Sequence, residues 1–130
     1  MKPPDNAEIF ETPLSTAWLD ENGILCMVSK TTERTIENYK PLIELYKKLT
    51  EKKNKICILA DASKAAPLNK EVRDYLNAEL PKYVSAMAII SETALGRMIA
   101  NIFVKLRPTS YHFKMFDSTE KAKEWLKHYL

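Results

Sequence analysis

The chain has 130 residues, 45% of them apolar and 28% charged, and 20 basic against 17 acidic side chains leave a net charge of +3. That length and balance describe one globular domain able to bury a core, and they exclude global disorder. Basic residues alternate with acidic ones, as in Glu51-Lys52-Lys53-Asn54-Lys55 and Glu120-Lys121-Ala122-Lys123-Glu124. This is the pattern of solvated helix faces, not the concentrated basic stripe that nucleic acid would need, so no nucleic-acid partner is expected.

No segment approaches roughly 18 consecutive apolar residues, so no membrane span is expected. The opening Met1-Lys2-Pro3-Pro4-Asp5-Asn6 lacks the apolar core of a signal peptide. Cys26 and Cys57 each sit in an apolar, strand-like run without metal-ligand spacing, which reads as buried thiols in a reduced, cytoplasmic setting. A Cys26–Cys57 disulfide is the alternative if those strands are neighbours.

In chain order, residues 1–13 form an arm in which Pro3, Pro4 and Pro13 remove backbone donors, though Glu8-Ile9-Phe10-Glu11 can add a short edge strand. A single domain follows over 14–130. Thr16-Ala17-Trp18-Leu19 and Ile24-Leu25-Cys26-Met27-Val28 read as strands. The Asp20-Glu21-Asn22-Gly23 link joins them as an antiparallel hairpin, because Asn and Gly both tolerate positive φ. Over 35–49, Ile36, Tyr39, Leu42, Ile43, Tyr46 and Leu49 repeat at helical spacing. Pro41 either kinks this helix or delays its start to about Tyr39.

Ile56-Cys57-Ile58-Leu59-Ala60 is apolar at every position, so both its faces are covered and the strand is central. A loop over 61–67 leads to Asn69, the predicted N-cap of a helix to Leu80 that turns Val72, Tyr75, Leu76 and Leu80 inward, with Pro81 closing it. The run Ser85-Ala86-Met87-Ala88-Ile89-Ile90 is a strand. Residues 93–106 are a very apolar helix, with Leu95, Met98, Ile99, Ile102 and Leu106 on one face and Gly96, Ala100, Phe103 and Val104 beside it. Residues 111–116 are a further strand. The last helix spans 117–130, opens with Asp117 and Glu120 at capping-box spacing, and buries Ala122, Trp125, Leu126, Tyr129 and Leu130. Alternation of strand and helix predicts an α/β sheet covered by helices.

Ligands of such sheets collect beyond the carboxyl ends of parallel strands. Here those ends carry Asp61 and Ser63, then Ser91, Glu92 and Thr93, then Asp117 and Ser118. Asp61, Ser63, Ser91 and Thr93, with Arg97, form the candidate site for a small anionic ligand. Capping and turn formation explain the same residues without a ligand. A magnesium pair of Asp61 and Asp117 lacks a third carboxylate, since Ser29-Lys30-Thr31-Thr32 supplies none. Ser63 has no flanking glycines for a nucleophile elbow, and the histidines are His112 in a strand and His128 on the last helix. With only Gly23 and Gly96 there is no phosphate loop. No catalytic constellation, metal or cofactor is expected. Gly96, Ala100, Phe103 and Val104 are the candidate interface for a second copy or a protein partner; packing within the domain is the plainer account.

Several segments together resemble the STAS domain, and more closely the small SpoIIAA-like bacterial proteins of STAS/Sec14-like topology. They are Ile58-Leu59-Ala60-Asp61, Val72-Arg73-Asp74-Tyr75, Ala94-Leu95-Gly96-Arg97-Met98-Ile99-Ala100-Asn101-Ile102-Phe103, and Phe116 with Glu124-Trp125-Leu126. The resemblance implies a mixed sheet of about five strands with about four helices packed on it, and a dimer or a partner complex. In switch-type members a serine at the start of the helix after the central strand is phosphorylated; the matching stretch here, Ala66-Pro67-Leu68-Asn69-Lys70, has none. The Sec14 side implies a lipid pocket, for which this chain lacks the additional enclosing helices. The expectation is a non-enzymatic regulatory or protein-interaction domain, homodimeric, with small-ligand binding at the strand-end edge as the alternative.

Overall fold

The computed structural model describes residues 1–52, 54–91 and 111–130. The candidate residues Thr93, Gly96, Arg97, Ala100, Phe103 and Val104, and the helix expected over 93–106, lie outside them.

The Asn-Gly link makes the expected hairpin. Strands β2 (Ser15–Leu19) and β3 (Leu25–Ser29) pair antiparallel with Trp18 opposite Cys26. Gly23 takes φ 81°, and it is the only positive-φ residue among those described, so Asn22 stays on the right-handed side. Asp20 organises the turn: its Oδ1 accepts from the backbone N–H groups of Asn22 and Ile24, each at 2.9 Å. Upstream, β1 (Phe10–Glu11) pairs antiparallel with β2 and supplies the short edge strand that residues 8–11 allowed.

Helix α1 (Ile36–Leu49) starts at once rather than near Tyr39, because the Thr35 hydroxyl accepts from the Asn38 N–H at 3.1 Å and caps it. Pro41 lies inside the helix. It falls on the exposed face, so the Glu37 carbonyl, which has no proline N–H to accept from, can be hydrated instead. The central strand β4 (Ile56–Asp61) follows, then α2 (Lys70–Glu79), capped by Asn69 and closed by a 3-10 turn at Leu80–Lys82. Strand β5 (Val84–Ile90) and strand β6 (His112–Phe116) complete the sheet, and α3 (Thr119–Leu126) ends in a 3-10 turn at Lys127–Tyr129.

The sheet is mixed, and its strands stand side by side in chain order from β1 to β6. The steps from β3 to β6 are parallel. Its two faces carry two separate cores. Leu25, Met27, Ile58 and Met87 pack with Tyr39, Leu42, Ile43 and Tyr46 of α1 and with Val72 and Leu76 of α2. Cys26, Cys57, Leu59 and Ala88 face the other way, onto Ala122 and Leu126 of α3. This is why β4 is apolar throughout. A register shift at Ile56/Cys57 leaves Ser85 as the extra residue of β5, so Val84 and Ala86, two apart, face opposite cores.

The sequence expectations for the last helix differ from the structure in two places. The last helix is capped by Ser118, whose hydroxyl accepts from the Lys121 N–H at 3.2 Å, not by Asp117, which instead accepts from Lys121 Nζ. Leu130 is 60% exposed, because regular helix ends at Leu126 and the 3-10 turn carries the terminus off the core. Cys26 and Cys57 are both free and buried on the same face of the sheet, which agrees with the buried-thiol reading and not with the disulfide alternative.

Candidate functional site

Because β4, β5 and β6 are parallel neighbours, their carboxyl ends share one end of the sheet: Asp61 pairs with Ile90, and Ile90 with Phe116. This brings Asp61, Ser63 and Ser91 together with Asp117 and Ser118 at that end. Asp61, Asp117 and Ser118 each have a local task. Asp61 Oδ1 accepts from the Ser63 N–H at 3.0 Å, an Asx turn that leads the chain off the strand. Ser91 is fully buried. Ser118 is the α3 cap.

Beside these residues, on the face covered by α1 and α2, lies a cavity of about 110 Å³. Strand alternation decides which residues reach it: Ala60 and Ala62 line it, and the intervening Asp61 does not. Met27, Ile58, Met87 and Ile89 supply the sheet wall, and Tyr39, Leu42 and Tyr46 the α1 wall. Ala65, Ala66 and Leu68 of the loop after β4 complete it. The volume exists because small alanines stand at four of these positions, where longer side chains would fill it.

The polar groups of the lining are few. Ser15 and Ser29 contribute hydroxyls, and Arg34 is the one charged lining residue among those described. Arg34 directly precedes the α1 cap. Its Nη1 donates to the Tyr39 hydroxyl, and its guanidinium carbon sits 5.5 Å from the centroid of the Tyr39 ring. Arg34 Nε is buried without a hydrogen-bond partner. Burial pushes the Tyr39 phenol above its ordinary range, with Arg34 opposing the shift. Burial also raises Tyr46, whose hydroxyl donates to Met27 Sδ at 3.4 Å. Both phenols therefore stay protonated near neutral pH.

Groups suited to catalysis are scarce among the described residues. Burial pushes the Cys26 thiol up to about 11 and also raises Cys57, so neither offers a thiolate near neutral pH. His112 is exposed and stacks on Tyr129, with ring centroids 4.3 Å apart. No group of three or more His, Cys, Asp or Glu side chains is placed to hold a metal among the described residues. None of the described helices is long and apolar enough to cross a membrane.

Residues 17–130 match the family described as a domain of unknown function, DUF7793. The chain belongs to that family. Its fold is also similar to a solved structure, described as an uncharacterised protein from the DUF3478 family with a SpoIIAA-like fold, from Shewanella loihica PV-4. The TM-score is 0.63 at 18% identity, over 97% of this chain and 99% of the other. At that identity the likeness concerns the fold, which is the SpoIIAA-like α/β fold the sequence motifs resemble. No curated protein matches the chain.

In this DUF7793 domain the sequence reading located the strand ends but missed the cavity and Arg34. Periodicity marks which residues face a core, not whether that core is full. The available signal was the cluster Ala60, Ala62, Ala65 and Ala66 around a central strand, with a lone arginine just before a helix cap.

Proposed function

We propose that this DUF7793 domain is a non-enzymatic binding domain for a small, largely apolar ligand, acting as a regulatory module in the cytoplasm. The observation that carries this reading is the cavity of about 110 Å³ between the sheet and α1 and α2. It is somewhat smaller than the roughly 150 Å³ apolar cavity that accepts benzene in an engineered protein, so a short aliphatic chain or small ring suits it. The protonated, buried thiols and the stacked His112 support a role without covalent chemistry. Asp61 and Ser63 enter this proposal by shaping the loop whose Ala62, Ala65 and Ala66 line the cavity. Ser91, Thr93 and Arg97 are proposed with them at the strand-end edge on sequence position alone.

The test is an NMR titration of the wild-type domain with 1-pentanol and benzene, beside Ala60→Leu and Ala66→Leu. Shifts centred on Met27, Ile58, Met87 and Tyr46, and lost in the filled variants, are expected. An unperturbed wild type, or shifts remote from these residues, would overturn the reading.

A partner surface on Gly96, Ala100, Phe103 and Val104 is supported by the sequence pattern of small and apolar residues. Sedimentation of the wild type beside Ala100→Glu tests it: a dimer that the substitution dissociates is expected. A monomeric wild type, or an intact variant dimer, would remove this surface from consideration.

A further inference from the structure

We propose that Arg34 and Tyr39 form the anion-recognising end of this cavity, and that its ligand is a small monocarboxylate with a short aliphatic body. The inference rests on the ligand-binding reading above and adds the chemistry of the ligand's head.

A guanidinium presents two kinds of paired-donor edge, and the side-on edge consists of Nε and Nη2. In Arg34 the opposite nitrogen, Nη1, is already committed to the Tyr39 hydroxyl, and the cation lies over the same ring. These two contacts anchor the group to α1. They leave the side-on edge without a protein acceptor among the described residues, and Nε is buried in that condition. A buried N–H of a charged group is costly when unpaired, so an acceptor that fills it is favoured.

The acceptor does not come from the described protein. Lysines 30, 40, 47, 70, 82, 121, 123 and 127 each have a carboxylate within 4 Å, whereas no described carboxylate pairs with Arg34. A carboxylate matches the side-on fork with two parallel N–H···O bonds. The Tyr39 hydroxyl accepts from Arg34 and keeps its own proton, so it offers a further donor. One cation among the described lining residues balances one negative charge, which disfavours a phosphate dianion. Apart from Ser15, Ser29, Phe113 and the tyrosines, the rest of the described lining is Ala, Leu, Met and Ile, which suits a hydrocarbon tail.

Calorimetric titration of the wild-type domain with the matched pair pentanoate and 1-pentanol tests this, repeated on Arg34→Met, Arg34→Lys and Tyr39→Phe. The wild type is expected to bind pentanoate at least tenfold more tightly than pentanol. Arg34→Met should abolish that preference, so that acid and alcohol bind alike, and circular dichroism certifies the variant's fold. Arg34→Lys, which keeps the charge but loses the fork, and Tyr39→Phe should each lower it several-fold. Independently of any variant, wild-type affinity for pentanoate should fall as pH drops through the ligand's own carboxyl range. Equal wild-type affinity for acid and alcohol, or a preference that survives Arg34→Met, would overturn the carboxylate inference and leave the cavity reading intact. Failure of both ligands to bind the wild type would overturn the ligand-binding reading and this inference with it.

Discussion

Lys123 of α3 places its Nζ 3.3 Å from Oδ2 of Asp20 in the β2–β3 hairpin, and the Asp20 side chain is only 3% exposed. The Asp20 Oδ2 makes no well-aligned hydrogen bond, so the attraction to Lys123 is what compensates its burial. The other oxygen holds the turn through Asn22 and Ile24. One carboxylate thus shapes the hairpin and fastens it to the last helix. Asp20→Ala should therefore cost about 2–4 kcal/mol, since it strands two N–H groups and an ammonium. Asp20→Asn keeps an Oδ1 acceptor and should cost less than half as much. Urea denaturation of the two variants checks the ranking, and equal losses would contradict it.

The α3 cap separates two adjacent residues. Ser118→Ala removes the hydroxyl that accepts from Lys121 N and should cost about 1 kcal/mol, lowering Tm by a few degrees. Asp117→Ala removes an exposed contact to Lys121 Nζ at 3.4 Å and should change stability by less than about 0.5 kcal/mol. Thermal melts of the pair measure the difference.

Gly23→Ala should cost about 1–2 kcal/mol through backbone conformation alone. The residue holds φ 81°, and nothing lies within 4 Å of where the new Cβ would stand. Gly23→Asn should recover part of that loss, because asparagine visits the left-handed region more readily. A Gly23→Asn variant no more stable than Gly23→Ala, in equilibrium denaturation, would point to some other origin of the loss.

Alkaline pH should weaken the fold. Burial raises Cys26 from 9.0 to about 11, and raises Tyr39, Tyr46 and Tyr111 above their ordinary value of 10.0. As pH rises, the unfolded chain loses these protons first. The native state then holds more protons than the unfolded one, and stability falls. Stability should be level with respect to these groups below pH 9, begin to fall as the free thiol ionises, and fall more steeply once the unfolded tyrosines ionise. Denaturant midpoints measured across this range under reducing conditions test the sign. Cys26→Ala should flatten the first part of the decline.

Much of the fold was legible because the residues that specify it are local. The Asn22-Gly23 pair marked the hairpin, Asn69 the start of α2, and the unbroken apolar run at 56–60 the central strand. The features that escaped depend on residues far apart in the chain. The bulge at Ser85 is defined only against Ile56 and Cys57. The Asp20–Lys123 pair joins the second strand's turn to the last helix. The cavity arises where β4, α1 and the loop after β4 converge, and no stretch of sequence records a volume left unfilled. Arg34 drew no notice in the sequence although its partner is only five residues away, since only the folded chain shows Tyr39 holding it.

A sheet whose strands stand in chain order can be assembled as the ribosome delivers it, each new strand docking on the one just made. Its helices arrive on a different schedule. The face bearing Trp18, Cys26, Leu59 and Ala88 has no described helix to cover it until residues 119–126 are synthesised and fold back. Among the described elements, the helix that closes this face is therefore the last to be made, and of the residues before the first strand Met1 and Ala7 are the ones that rest on it.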